Sequence, residues 1–311
     1  MSLLVIGSIA LDTVRTPFGV VKDALGGAAV YASCAASFFT DVAVVGVAGK
    51  DFPSQHTEFL SSRNIDLSGL EITDGQTFRW SGRYDFDLNL AHTLHTQLNV
   101  FADFRPELGQ EQRQAAYVFL ANMDPEIQLH ILDQLKKPEL VACDTMNFWI
   151  DGKPEALRQV ISRSDILFIN DAEARQLCNT PSLIKAAREL YNMGLRAVVI
   201  KKGEHGSMML CDEGFFAAPS YPLEEVRDPT GAGDSFAGGF MGYLASECDC
   251  STDSLRCAVI CGSVVASYDV EEFSLERMKR LDGNDIAGRF NEFKHLSTFE
   301  SPGALLSVSL E

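Results

Sequence analysis

Six short runs that are apolar on both faces return along the chain: LLVIGS (3–8), DVAVVGV (41–47), AYVFLA (116–121), LVACD (140–144), DILFIN (165–170) and AVVIK (197–201). A strand of that kind must be covered on both sides, as in a parallel sheet held between two layers of helices. Helical patterns fill the gaps at 27–38, 54–63, 125–135, 154–163, 171–178 and 182–193, and two longer ones follow at 231–246 and 253–268. The pattern at 182–193 is bracketed by Thr180-Pro181 and Gly194, a sound start and stop for a helix. The alternation predicts an α/β fold, doubly wound around a mostly parallel sheet.

Two stretches, 12–24 and about 72–104, interrupt this rhythm. The second alternates polar with aromatic or aliphatic residues, the mark of half-exposed antiparallel strands. Both are expected to build a small β-sheet lid over the carboxyl edge of the large sheet. The 311 residues then form a single α/β domain, 1–311, with the lid as a subdomain.

Twenty-six Lys and Arg against 43 Asp and Glu give a net charge of −17. Such an acidic surface repels a phosphate polymer, so no nucleic-acid partner is expected. Small phosphorylated ligands stay open, because local N–H dipoles outweigh distant surface charge. No apolar stretch approaches the roughly 20 residues of a spanning helix, and MSLLVIG carries no basic leader. The eight cysteines include no CxxC pair and read as reduced, buried thiols. These features predict a cytoplasmic protein that does not engage a membrane.

The segment RDPTGAGDSFAGGFMGYLA (227–245) carries the strongest chemical signal. Its glycines crowd a turn that opens directly into a helix. The N–H groups of Gly231, Ala232 and Gly233 would sit at the helix N-terminus, where dipole and donors favour an anion. Asp234 follows in the first turn, where the dipole is expected to keep it ionised. A carboxylate beside an anion hole suits a general base for a hydroxyl attacking phosphorus. An ordinary glycine-rich helix start with a capping Asp would look the same in isolation.

With the other segments in order, DPTGAGD resembles the signature of the ribokinase-like (PfkB-type) carbohydrate kinases. The supporting pieces are GSIALD (7–12), LGGAAVYAS (25–33), VGVAGKDFP (45–53), NDAEA (170–174) and KKGEHGS (201–207), and together they span residues 3 to about 270. The resemblance implies an ATP-dependent kinase that phosphorylates a hydroxyl of a sugar or ribonucleoside. Asp234 would be its catalytic base, with Gly231, Ala232 and Gly233 as the anion hole. Asp12 matches the acidic residue that grips acceptor hydroxyls, and Gly26 and Gly27 would let backbone approach the acceptor. Asn170 and Glu173 match the family's Asn-x-x-Glu motif, which implies nucleotide phosphates and magnesium, the ion reached from Glu173 through water. The same two residues also read as a helix cap. Lys201, Gly203 and Gly206 resemble the turn that lines the nucleotide, and a surface Lys-Gly turn would look alike. Asp228, with backbone near Ser267 to Phe273, resembles a monovalent-cation loop, which implies potassium. Relatives often pair through the lid, which implies a homodimer.

The chain departs from ribokinases proper, which carry Asn, Lys and Asn where it has Ala10, Ala28 and Tyr31. These changes argue against free ribose and for an acceptor with an apolar part, with Tyr31 and Asn147 lining its site. Phe78, Trp80, Tyr84 and Phe86 in the lid read either as stacking surfaces or as packing within the lid. Arg15, Arg79 and Arg83 read either as anion contacts or as a solvated face. No P-loop, GxGxxG after the first strand, HExxH or GxSxG is present. Two other classes stand beside the kinase: a sensor that binds nucleotide or sugar without transfer, and an assembly protein built on the lid.

Overall fold

In the computed structural model, which describes residues 2–298, each of the six doubly apolar runs is a strand. In chain order the strands are β1 (Leu3–Ile6), β2 (Ala10–Thr16), β3 (Gly19–Gly26), β4 (Val42–Gly49), β5 (Ile65–Thr73), β6 (Phe78–Tyr84) and β7 (Ala91–Gln97). There follow β8 (Tyr117–Leu120), β9 (Leu140–Asp144), β10 (Ile166–Asn170), β11 (Ala197–Lys201), β12 (Ser207–Cys211) and β13 (Gly214–Ala218). The large sheet runs β13-β12-β11-β10-β9-β8-β1-β4-β5 and is parallel except at β12 and β13. Successive side chains point to opposite faces, so Leu3 and Val5 enter one buried core while Leu4 and Ile6 enter the other. All eight expected helices form within two or three residues of their expected ends.

The expected small sheet is present, in the order β3-β2-β6-β7. It is not wholly antiparallel, because β2 and β6 run parallel, Ala10 opposite Phe78 through Arg15 opposite Arg83. Its limits also differ from the alternation pattern. Residues 65–73 extend the large sheet as its edge strand, and Phe101 and Phe104, beyond β7, are buried in the core beneath it. The hairpin of β12 and β13 and the helix Gly283–Ser297 were not expected. β13 and the helix are half-exposed and leave a weak pattern, whereas β12 is buried and too short to stand out beside the turn before it.

The helix Ala232–Glu247 owes its position to its small residues. A Cβ on Gly238 would lie 2.2 Å from the Ala32 carbonyl oxygen, and one on Gly242 2.7 Å from the Ala36 Cα. The backbones of this helix and of Ala28–Ala36 therefore touch, which fixes where the helix N-terminus points. Gly238→Ala gains helix propensity, but its methyl would meet backbone that no rotamer change can move. We expect a net loss of about 1–3 kcal/mol, read as a lowered midpoint in thermal denaturation.

Candidate active site

The carboxyl ends of three adjacent parallel strands converge on the start of that helix. β9 ends in Asp144, β10 in Asn170 and β11 in Lys201. An open α/β sheet presents ligands with this edge, where strand ends and helix starts meet. Lys201 Nζ lies 2.6 Å from Asp144 Oδ2, and both side chains are largely buried. A Cβ on Gly233 would sit 3.0 Å from the same Nζ, so the ammonium faces the glycine turn directly. Burial opposes charge on Lys201, but Asp144 outweighs it and raises the lysine, and we take the pair as ionised.

Gly231 starts the turn at φ 84°, a left-handed conformation that glycine adopts without strain. The Ala232 amide turns back to the Pro229 carbonyl at 3.3 Å, so it does not point outward as expected. Among the described residues, no backbone oxygen takes the Gly233 amide, which remains a donor beside Lys201. Asp234, in the first turn of the helix, is half-buried. Burial, and then the charge of Asp144, push its carboxyl up to about 7, with Lys201 pulling the other way. Burial and a second carboxylate thus oppose the ionised form that the helix start favours.

Asp12 reaches the site from β2 and is buried. Burial raises it to about 7, the Gly27 amide lowers it, and the charges of Asp228 and Asp234 raise it further. A Cβ on Gly26 would fall 2.0 Å from Asp12 Oδ2, so only glycine leaves room for that carboxyl. Gly27, at φ 98°, opens the next helix. Asn170 and Glu173 form a reciprocal cap: the Glu173 amide donates to Asn170 Oδ1 at 2.8 Å, and the Asn170 amide to Glu173 Oε2 at 2.9 Å. Burial and then Asp144 raise Glu173 to about 7. Gly203 and Gly206, at φ 54° and 77°, shape the turn after β11.

Of the other expected residues, Tyr31 takes a different place. Tyr31 is no pocket wall: it is 1 % exposed, and a Cβ on Gly231 would lie 2.3 Å from its ring, so it packs beneath the glycine turn. Asp228 is fully buried, and its two oxygens accept the Thr230 amide at 2.9 Å and the Ser274 amide at 3.0 Å. It thus pins two loops together. Asn147 is exposed and starts a short helix, Asn147–Gly152, just past Asp144. Of the aromatics in β6 and the loop after it, Phe78 stacks on Phe101, Phe86 is 89 % exposed, and Tyr84 reaches Thr230. Trp80 stands opposite Asp12 on the neighbouring strand. Arg79 bridges Asp23 and Asp51.

Asp144 was missed from the sequence. The available signal was positional: it is the last residue of an apolar parallel strand, as Asn170 and Lys201 are of theirs. Among the described residues, no group of three or more His, Cys, Asp or Glu side chains could hold a metal ion by itself. The residues do fit a magnesium ion carried mainly by phosphates and water, because Glu173 Oε2 serves the cap and its other oxygen is left for a water. All eight cysteines are free. No described helix is long and apolar enough to cross a membrane.

The sequence profile of the pfkB family carbohydrate kinases matches residues 2–276. A cytidine kinase of Thermococcus kodakarensis is 34% identical over 253 residues, covering 78% of this chain and 88% of that protein. The nucleoside kinase of Methanocaldococcus jannaschii superposes with a TM-score of 0.75 at 21% identity, covering 94% of this chain and 99% of that one. The Burkholderia thailandensis nucleoside kinase in complex with inosine gives 0.74 at 18% identity, covering 93% and 97%.

Proposed function

The chain belongs to the pfkB family of carbohydrate kinases, phosphotransferases with a hydroxyl acceptor, and we propose that it moves the γ-phosphoryl group of ATP to a ribonucleoside, with Asp234 as base. The carrying observation is the meeting of Lys201 with the glycine turn at the helix start, where Asp234 stands in the first turn. Asp12 would accept from the acceptor's hydroxyls and aim one of them at Asp234. Asp234 would take that hydroxyl's proton as the oxygen bonds to the γ-phosphorus and the bond to the ADP oxygen breaks. Lys201 and the Gly233 amide would receive the charge gathering on the transferred group. Gly203, Gly206 and Asn170 would line the nucleotide. Magnesium, when bound, supplies neutralisation of the phosphates, with Glu173 orienting it through water.

The acceptor class rests on the cytidine kinase likeness and on the buried Ala10 and Ala28, which offer no polar group to a free sugar. Trp80, across from Asp12, is the lid residue best placed to meet a base. A monovalent cation would have to share an Asp228 carboxylate that already serves two amides. Phe18, Val20 and Leu94 leave apolar surface on the small sheet, which pairing with a second copy would cover.

ADP formation with ATP and magnesium across a panel of ribonucleosides and sugars tests the reading. Turnover with a ribonucleoside supports it, turnover only with free sugars overturns the acceptor class, and ATP binding without transfer to any acceptor favours a sensor. A base raised to about 7 also predicts a pH profile. Asp234 accepts a proton only when ionised, so kcat/KM should fall at least tenfold per pH unit well below 7, more steeply where Asp12 must also be ionised, and level off above it.

A further inference from the structure

Phe78, Trp80, Gly82 and Tyr84 alternate onto the face of the small sheet that carries Asp12, since Asp12 pairs with Trp80 and Val14 with Gly82. That face meets the catalytic edge. At its far end the Thr230 hydroxyl donates to the Tyr84 oxygen at 3.3 Å, joining residues 146 apart in sequence. Burial, and the charges of Asp228, Asp12 and Asp234, push the Tyr84 hydroxyl up, so it is a neutral phenol that accepts from Thr230. Thr230 is held from the other side as well, its amide donating to Asp228 Oδ1 at 2.9 Å. The next residue is Gly231, the left-handed start of the turn that ends in Asp234. A second tie between the small sheet and the site, Asn89 donating to Glu204 at 3.1 Å, lies exposed and competes with water.

Resting on the proposed kinase reaction, we infer that Tyr84 is a positioning residue that registers closure of the small sheet in the catalytic turn. With β6 down, Thr230 is fixed through both its amide and its hydroxyl, and Gly231 to Asp234 are held in the geometry that receives the phosphoryl group. With β6 lifted, one hold is gone, the turn loosens, and water reaches the site. Transfer to the acceptor is thereby favoured over hydrolysis.

The experiment compares the full chain with Tyr84→Phe, Thr230→Val, both together, and Thr230→Ser, which keeps the hydroxyl. Backbone hydrogen exchange is read over 78–84 and 228–234, and ADP formation is measured with and without cytidine. Tyr84→Phe and Thr230→Val should each speed exchange in both segments about fivefold, as loss of one ordinary hydrogen bond would. The double variant should add nothing, and Thr230→Ser should match the parent. The share of ADP formed without acceptor should rise in the first three variants, with kcat falling more than KM changes. Exchange altered in 78–84 alone, or single effects that simply add, would overturn the inference. If the parent phosphorylates no acceptor, the proposed function fails, while the exchange measurements still decide whether the two segments are coupled.

Discussion

Asp234→Asn is expected to lower kcat by about 10²–10⁴ while leaving the protein as stable as the parent, or slightly more so. The two halves of this expectation share one cause. Burial and Asp144 raise the Asp234 carboxyl to about 7, so the folded protein holds its charged form against a cost that the unfolded chain does not bear. An amide of the same shape removes that cost together with the proton acceptor. A carboxylate retained only to cap its helix would behave in the opposite way, since losing a cap interaction costs stability and leaves chemistry alone. Turnover and thermal midpoint, measured on one preparation, separate the two. Near-parental kcat would remove Asp234 from the mechanism.

Asp144→Asn is expected to cost about 3–5 kcal/mol of stability, the penalty for stranding one partner of a buried ion pair. The pair qualifies as buried, with side chains 4% and 16% exposed. A second effect follows at the base. Asp144 raises Asp234 and Lys201 lowers it, so removing the first and freeing the second both pull Asp234 down. The acid limb of kcat/KM should move below 7 as overall activity falls. Denaturant titration and a pH-rate profile read the two effects. Unchanged stability with an unmoved limb would show that Asp144 does not hold Lys201 at the turn.

How far the sequence alone reaches can be judged from these same residues. The parallel strands and their helices were legible because residues such as Leu167 and Ile169 face one apolar layer while Ile166 and Phe168 face the other. That double burial writes an unbroken apolar run. Strand β5 carries no such run, since an edge strand is half-exposed, and it was invisible for that reason. The DPTGAGD turn was legible because close packing restricts composition, as Gly231 shows, where a Cβ would lie 2.3 Å from the Tyr31 ring. Asp144 and Tyr84 were not, because their meaning comes from partners 57 and 146 residues away. Tyr31 misled for a related reason. A tyrosine near a glycine pair reads as a pocket wall, yet whether it faces ligand or core is decided by what packs over it, here the turn that opens at Gly231.

The most direct test follows the phosphoryl group itself. The full chain is incubated with ATP, magnesium and cytidine, and the nucleoside is weighed by mass spectrometry as ADP is counted. A nucleoside heavier by one phosphoryl group is expected, formed in step with ADP and absent with Asp234→Asn. ADP released with no phosphorylated acceptor, from cytidine or any other ribonucleoside, would contradict the proposed transfer.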